Sequence, residues 1–378
     1  MKKVKFDSEF IGYNIKLARL ISGLTLSDIA DSVGKSKQFI HQLETGVKHP
    51  TDELLDTLGT LLHVRPKFFY TPHSSVLDDE SVHFRSNRTA KQVSRLRAKA
   101  SIDLFMRLIT LLENYLTFPS VDFPSSKKVV ETASDVEQAA EYTRNYWQLG
   151  FGPISNTTRL VERSGAVVTF FRGISSDVDA LSSVIRRPII VRNDAKDSPG
   201  RLRFDIAHEL GHLVMHQGIQ TGCKLTESQA NRFASAFLLP RTVFIKEFKV
   251  GARMDWRMLS ELKGRWGVSK AALLYRARQL DLLTEAKYTS HIITLKKYEA
   301  KKEKDDYLIP FERSELIVNA IQNYLSAYNK TVDDLLNELL VDDVVINQIL
   351  DFDINSLRVI ESPHSNVIPF SRYRNRRP

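Results

Sequence analysis

The chain has 378 residues, 42% of them hydrophobic, and a formal net charge of +9. This length predicts two or three domains, and the hydrophobic fraction is normal for a soluble globular protein. No run of eighteen apolar residues occurs, which argues against a membrane protein, and the first ten residues contain lysines but no apolar run, so we expect no signal peptide. With one cysteine, Cys223, no intrachain disulfide can form, and we expect a cytoplasmic location.

Basic charge is concentrated in two parts of the chain. Residues 83–128 hold nine Lys or Arg against three Asp or Glu, and the last fourteen residues hold four Arg and no acid. The isoelectric point of about 9.4 suits a nucleic-acid partner. For the C-terminal stretch, a solvated tail without a ligand is an equally good interpretation.

The first seventy residues predict four short helices. Thr25 with Asp28 is a capping-box pattern, Gly34 ends the second helix, and Ser36 begins the third. Two short helices joined by a Gly-containing turn form a helix-turn-helix pattern. The apolar positions of the two helices predict a shared core of Ile29, Ala30, Val33, Ile40 and Leu43.

Polar side chains then remain on the outside of the third helix. Lys can contact guanine or phosphate, and Gln can read adenine. Helix pairs are common, so a plain helical bundle is an equal alternative on this pattern alone. The candidate DNA-contacting residues are Thr25, Lys35, Ser36, Lys37, Gln38, His41 and Gln42.

Residues 9–66 resemble the XRE (lambda-repressor/Cro-like) helix-turn-helix family. The stretch LTLSDIADSVGKSKQFIHQLETGVKHPT, residues 24–51, carries the family's run of Thr, Ala, Gly, Ser, Ile, Glu, Gly and Pro. Ser27 stands where members often have a Gln that contacts phosphate, so this chain departs from the family pattern at that position. The resemblance implies that this domain binds a double-stranded DNA operator.

The segment after this domain, residues 72–89, lacks periodicity and is interpreted as a linker. A long amphipathic helix follows from Ala90 and ends at Pro119; it could support the second domain or dimerise the first. Residues 134–150 and 152–165 predict further helices, and AVVTFF and RPIIVRN predict short strands.

The segment RFDIAHELGHLVMH, residues 203–216, contains a His-Glu-Leu-Gly-His pattern. His208 and His212 are four residues apart, so both imidazoles project from one helical face and can fill two positions of a tetrahedral zinc site. Glu209 could take a proton from an attacking water and pass it to the leaving amine. The alternative is a buried helix with two hydrogen-bonded histidines.

A third ligand is expected from the next helix, which we predict to begin with a Thr226 cap. Its Glu227 lies fifteen residues beyond His212, and a loop between the helices would let it return to the same site. Three histidines on one straight helix extend over about 12 Å, too far for one ion, so we expect His216 at the helix end or near substrate. Cys223 is a ligand by type, but packing is the commoner role of a lone Cys.

Residues 150–285 resemble the ImmA/IrrE metallopeptidase family. The similar stretches are GPISNTTRLVERSG, RPIIVRN, RLRFDIAHELGHLVMH and ESQANRFASAFLLP, in that order. The resemblance implies a zincin-like fold with His208, His212 and Glu227 as zinc ligands and Glu209 as the catalytic acid and base. Members commonly have a second Glu where this chain has Gln229, which removes a charge beside the ligands but no ligand.

Residues 256–283 look like a second helix-turn-helix unit, which family members often carry behind the peptidase core. We favour a packing role for it over a second DNA reader. Residues 286–378 predict two or three helices capped by Ser and Thr and carry no motif. The region could be a sensor, a dimer module or a lid, and its sequence does not distinguish these roles.

We therefore predict an α+β, mostly helical fold. Its parts are a helix-turn-helix domain at 1–72, a linker with a long helix at 73–125, a zincin-like domain with a small sheet at 126–285, and a C-terminal helical region with a basic tail at 286–378. Zn2+ is the expected cofactor, with Mn2+ or Fe2+ possible in a mixed histidine and carboxylate site.

The leading hypothesis is a zinc-dependent endopeptidase with a DNA-binding arm that cleaves an XRE-type repressor. Its setting would be a prophage, a mobile element, a toxin–antitoxin locus or a stress response, and a homodimer is possible. One alternative is a regulator whose zincin-like domain senses a metal or a partner and never cuts. Another is a toxin–antitoxin-type fusion.

Overall fold

A computed structural model of the chain describes residues 9–72, 82–86, 92–125, 130–171, 178–184, 187–192, 198–219, 221–251, 253–299 and 303–361, with the backbone alone at 82–86, 178–184 and 359–361. The predicted basic tail lies outside the described residues, as does most of the predicted linker. None of the described helices has the length and apolar character that a membrane crossing requires.

Helices make up most of the described chain, as predicted. The amino-terminal helices are α1 (Tyr13–Ile21), α2 (Leu26–Ser32), α3 (Lys37–Glu44), α4 (Asp52–Leu62) and α5 (Gln92–Glu113). The middle of the chain holds α6 (Ala133–Tyr146), α7 (Thr157–Arg163), α8 (Pro199–Met215), α9 (Lys224–Leu238), α10 (Arg241–Glu247), α11 (Trp256–Trp266) and α12 (Lys270–Gln279). The last part holds α13 (Glu285–Tyr298), α14 (Leu316–Ala327), α15 (Val332–Leu339) and α16 (Asp343–Ile346).

The helix-turn-helix unit forms where its caps predict it. The Thr25 hydroxyl accepts from the Asp28 N–H at 3.2 Å, and the Asp28 carboxylate accepts from the Thr25 N–H at 2.6 Å, which closes the capping box at the start of α2. Gly34 adopts the left-handed φ of 62° that ends the turn, and the Ser36 hydroxyl accepts from the Phe39 N–H to begin α3. Of the predicted core residues, Val33 is half-buried and the other four are buried.

A sheet of four short strands lies in the middle of the molecule: β1 (Val82–Ser86), β2 (Val167–Phe170), β3 (Val178–Val184) and β4 (Pro188–Arg192). Its strand order is β1-β3-β4-β2, with β2 parallel to β4 and the other pairs antiparallel. Two strands were predicted, within AVVTFF and RPIIVRN. The other two were missed, and β1 lies inside the segment interpreted as an unstructured linker.

The sheet separates two layers of helices. Val167, Ile189 and Val191 point into a core with α1 to α5 and α14 to α16, whereas Val168 and Ile190 pack against α7 and α8 on the other face. A third core joins the outer face of α8 to α6 and to the helices from α9 to α13. Both faces of β2 and β4 are therefore buried, as their continuous apolar sequences require.

The C-terminal helices pack against the helix-turn-helix unit. Val64 and Val341 form an antiparallel bridge, the Arg65 N–H donates to the Leu340 carbonyl at 2.9 Å, and the Asp342 N–H donates to the His63 carbonyl at 2.9 Å. The predicted arm is thus not a separate body within the described structure, because its core continues into α5 and α14 to α16. The boundaries at 72, 125 and 285 stay predictions.

Candidate metal centre and nucleic-acid interface

The helix α8 carries the His-Glu-Leu-Gly-His pattern through the centre of the molecule. Apolar residues surround it: Ile206 and Leu213 face the sheet, and Ala207, Leu210 and Val214 face α6 and α9. A helix that is apolar on several sides is stable only when it is buried. His208, Glu209 and His212 are accordingly at most 1% exposed.

The next helix, α9, returns along α8 and brings a carboxylate to the two histidines. Glu227 Oε2 lies 3.3 Å from His208 Nε2, and Glu227 Oε1 lies 3.4 Å from His212 Nε2. The two Nε2 atoms are 3.1 Å apart. Close packing of the helices permits this approach, since a Cβ at Gly211 would come within 3.0 Å of the Phe233 ring.

A hydrogen-bond partner stands behind each histidine. His208 Nδ1 lies 3.0 Å from Asn231 Oδ1. His212 Nδ1 lies 2.9 Å from His216 Nδ1, and His216 Nε2 lies 2.9 Å from Gln229 Oε1. The Nδ1 atoms are thus occupied, and both Nε2 atoms face Glu227.

These three groups fit a divalent metal ion. Ligand atoms around one tetrahedral zinc ion lie about 3.3 Å from one another. The observed separations of 3.1, 3.3 and 3.4 Å match that spacing. Burial acts to raise the pKa of Glu227, but His208 and His212 outweigh it and hold the pKa well below its usual range. Glu227 is therefore held as a carboxylate, the form in which it can bind a metal ion.

The remaining candidates of the metal centre take different places. His216 ends α8, as expected, and it is 2% exposed, with its ring nitrogens directed at His212 and Gln229. Burial lowers the pKa of His216 to about 4, which keeps the imidazole neutral. Cys223, not Thr226, is the N-cap of α9, and its exposed thiol accepts from the Thr226 N–H rather than joining the three ligands.

The DNA-contacting candidates lie on the surface of α2, α3 and the turn between them. Thr25, Lys35, Ser36, Lys37, Gln38 and His41 are exposed, and Gln42 is half-buried. The Thr25 and Ser36 hydroxyls cap α2 and α3, so their observed role is to fix the first turns of these helices. One of the basic residues of the 83–128 segment has a structural role. Arg107 pairs with Asp103 and donates to Asn14, and this contact joins α5 to α1.

Two families match these two parts of the chain. Residues 15–69 match the helix-turn-helix family, and residues 161–278 match the family described as the IrrE N-terminal-like domain, a peptidase family. The chain joins a DNA-binding helix-turn-helix domain to an IrrE-like peptidase domain. Both resemblances seen in the sequence are thereby confirmed, and no curated protein matches the chain.

The peptidase domain also contains the second helix-turn-helix-like pair, α11 and α12. Gly267 takes the left-handed φ of 65° between them, as Gly34 does between α2 and α3. Leu273, Leu274 and Arg276 of α12 are buried, and Arg276 pairs with Glu137 of α6 at 2.6 Å. This burial agrees with a packing role, because little of α12 remains for a DNA groove.

Asn231 is the residue of this centre that sequence reasoning missed. It lies four residues after Glu227, so both point from the same face of α9. The general need of a metal-binding histidine for a partner on its second nitrogen was the available signal. That signal does not say which of the polar residues of α9 supplies the partner, because this depends on how α8 and α9 pack.

Proposed function

We propose that this protein is a metal-dependent endopeptidase that is held at, or brought to, operator DNA by its helix-turn-helix domain. The observation that carries the proposal is the meeting of His208, His212 and Glu227 from α8 and α9 in an IrrE-like domain. His208 Nε2, His212 Nε2 and one Glu227 oxygen would hold the ion. Zn2+ suits this mixed set of nitrogen and oxygen ligands, and Mn2+ or Fe2+ could replace it.

Glu209 is the proposed acid and base. It follows His208 directly on α8 and is 1% exposed, so its carboxylate is held in a largely dry environment. A bound metal ion supplies Lewis acidity, which polarises a peptide carbonyl. Glu209 would accept the proton of the attacking water and donate it to the amine that leaves.

The substrate that fits this pairing best is a DNA-bound protein, and we propose an XRE-type repressor. A peptidase that carries its own helix-turn-helix domain is concentrated near the proteins that occupy the same DNA. Cleavage of a repressor would then allow transcription of the genes that the operator controls, in a prophage, mobile element, toxin–antitoxin or stress-response setting.

Glu209→Gln tests the proposal because it removes the base and keeps the size of the side chain. Metal content and operator binding should stay at the wild-type level. Cleavage of repressors from the same genome should fall by about 10²–10⁴-fold, the usual contribution of general acid–base catalysis. Glu261→Gln is the matched control, since Glu261 is an exposed residue of α11 that pairs with Arg257 on the surface.

A non-cutting sensor is the second candidate, and one set of contacts favours it. Arg203 of α8 donates to the Glu312 carboxylate, which also accepts from the Thr157 and Thr158 N–H groups at 2.9 and 2.8 Å. Glu312 leads into α14, which packs in the core of the DNA-binding domain. A metal-dependent shift of α8 could therefore reach that domain. Full promoter output with metal-loaded Glu209→Gln would support the sensor and overturn the peptidase.

A further inference from the structure

A chain of hydrogen bonds runs from His212 to the backbone at Val130, which lies shortly before α6. Gln229 Nε2 donates to the Val130 carbonyl at 2.7 Å, which turns Gln229 Oε1 towards His216 Nε2 at 2.9 Å. His216 Nδ1 then meets His212 Nδ1 at 2.9 Å. The side chains are enclosed, with Gln229 8% and His216 2% exposed.

The donor and the acceptor of each hydrogen bond can be assigned by starting from the Val130 carbonyl. A backbone carbonyl can only accept, so the Gln229 amide donates there and its oxygen accepts from His216 Nε2. A neutral His216 with its proton on Nε2 has an acceptor at Nδ1. His212 must therefore carry its proton on Nδ1, and its Nε2 keeps a lone pair.

The opposite tautomer of His212 also has nearby hydrogen-bond acceptors. The protein therefore needs contacts that favour the tautomer with the proton on Nδ1. With its proton on Nε2, His212 could donate to Glu227 Oε1 at 3.4 Å or to His208 Nε2 at 3.1 Å. That proton would occupy the space between the three ligand atoms. The centre would then be closed to a cation by its own hydrogen bond.

We propose that His216 and Gln229 are positioning residues, which hold His212 in the tautomer whose Nε2 lone pair can bind a metal ion. This inference rests on the proposed function, since it assigns roles around the same centre. His208 has a separate partner in Asn231 Oδ1 at 3.0 Å, so the two histidines are set independently. The relay formed by Gln229 and His216 therefore acts on His212 alone.

Imidazole nitrogen NMR of the metal-free protein tests the relay directly. Spectra are recorded above the ordinary histidine pKa of about 6.5, so that neutral tautomers dominate. The wild type should show His212 and His208 protonated on Nδ1 and His216 protonated on Nε2. A wild-type His212 protonated on Nε2 would overturn the proposal without any substitution.

Substitutions at the two partner positions separate the relay from general loosening of the fold. Gln229→Leu lacks the acceptor and should shift the tautomers of His216 and His212 but not that of His208. Asn231→Leu is the matched control and should shift His208 alone. Gln229→Glu keeps an acceptor oxygen and should retain the His212 tautomer.

Zinc titration against a competing chelator gives the second readout. Gln229→Leu should weaken Zn2+ binding by about 10–100-fold, the usual effect of losing such a partner, and Gln229→Glu should bind Zn2+ more tightly than Gln229→Leu. Unchanged tautomers and affinity in Gln229→Leu would overturn the proposal. A wild type that binds no Zn2+ would overturn the proposed function instead, while the tautomer pattern would still report on the relay.

Discussion

Three side chains from two helices form the proposed metal centre, so their separate removal should have graded effects. His208 and His212 are buried on α8, whereas Glu227 reaches them from the first turn of α9 and is 24% exposed. A carboxylate at the edge of a site is more easily replaced by water than an enclosed imidazole is. The two histidines should therefore dominate the affinity.

His208→Ala and His212→Ala should each abolish stoichiometric metal binding, and Glu227→Ala should weaken it less. Metal analysis of the purified variants by mass spectrometry checks this. Cys223→Ser serves as the control, because its thiol caps α9 outside the three-ligand cluster. Full metal occupancy in His208→Ala would show that the ion binds elsewhere.

The exposed residues of α3 allow a test of DNA binding that does not involve the metal centre. Lys37→Ala should weaken operator binding on all sequences and reduce the slope of log affinity against log salt by about one, as expected for one lost phosphate contact. Lys246→Ala is the matched control, since Lys246 is exposed on α10 of the peptidase domain. An equal loss in both variants would indicate a general charge effect.

Gln38 is the better candidate for reading a base, because it is exposed whereas Gln42 is half-buried. Gln38→Ala should cost about 1–3 kcal/mol at one base position and leave other positions unchanged. Binding measurements against a set of single-base operator variants check this. A uniform loss across the set would assign Gln38 to the DNA backbone.

Among the elements, the helices could be predicted far better than the strands. Thr25 and Ser36 cap α2 and α3 as the sequence indicates, because capping depends on residues within one turn. The strands β1 and β3 pair with each other across about a hundred residues. Short segments gain their stability from such pairing rather than from their own sequence, so local patterns did not reveal them.

The junction of α7 and α14 depends on a buried carboxylate. Glu162 is 4% exposed and accepts from the Glu315 and Leu316 N–H groups at 3.2–3.3 Å. Burial raises its pKa from 4.5 to about 7, although these N–H groups act in the opposite direction. The folded protein thus holds this proton more tightly than the unfolded chain does.

Glu162→Gln should therefore change how stability depends on pH. A raised carboxyl pKa makes the folded state most favoured below 4.5, and this advantage is lost as pH rises to about 7. Relative to Glu162→Gln, the wild type should lose free energy of unfolding across that window, on the order of 1–3 kcal/mol. Denaturant titrations between pH 4.5 and 8 measure it. Parallel curves for the two proteins would contradict the assignment.

In the whole molecule, the shared core assigns the C-terminal region to the DNA-binding side. Ile346 of α16 is fully buried in the core that also contains Ile40 of α3 and Leu58 of α4. Leu273 of α12 is fully buried in the separate core of the peptidase domain. Sequence alone could not show this, because residues 341–346 meet the first domain after nearly three hundred intervening residues.

The three tryptophans allow the two sides to be followed separately. Trp266 lies in the core of the peptidase domain, and Trp147 and Trp256 pack against it, so tryptophan fluorescence reports on that domain. Operator binding reports on the other side. Temperature can then be raised while each signal is recorded on the same protein.

Ile346→Ala and Leu273→Ala should separate these two signals. Each substitution removes a buried side chain and should cost about 2–5 kcal/mol. Ile346→Ala should lower the midpoint for loss of operator binding by roughly 5 °C or more, and Leu273→Ala should lower the fluorescence midpoint instead. The sheet contacts both cores, so a smaller shift of the second signal is expected in each case. An unchanged operator-binding midpoint in Ile346→Ala would mean that the C-terminal helices do not stabilise the DNA-binding domain, despite their shared core.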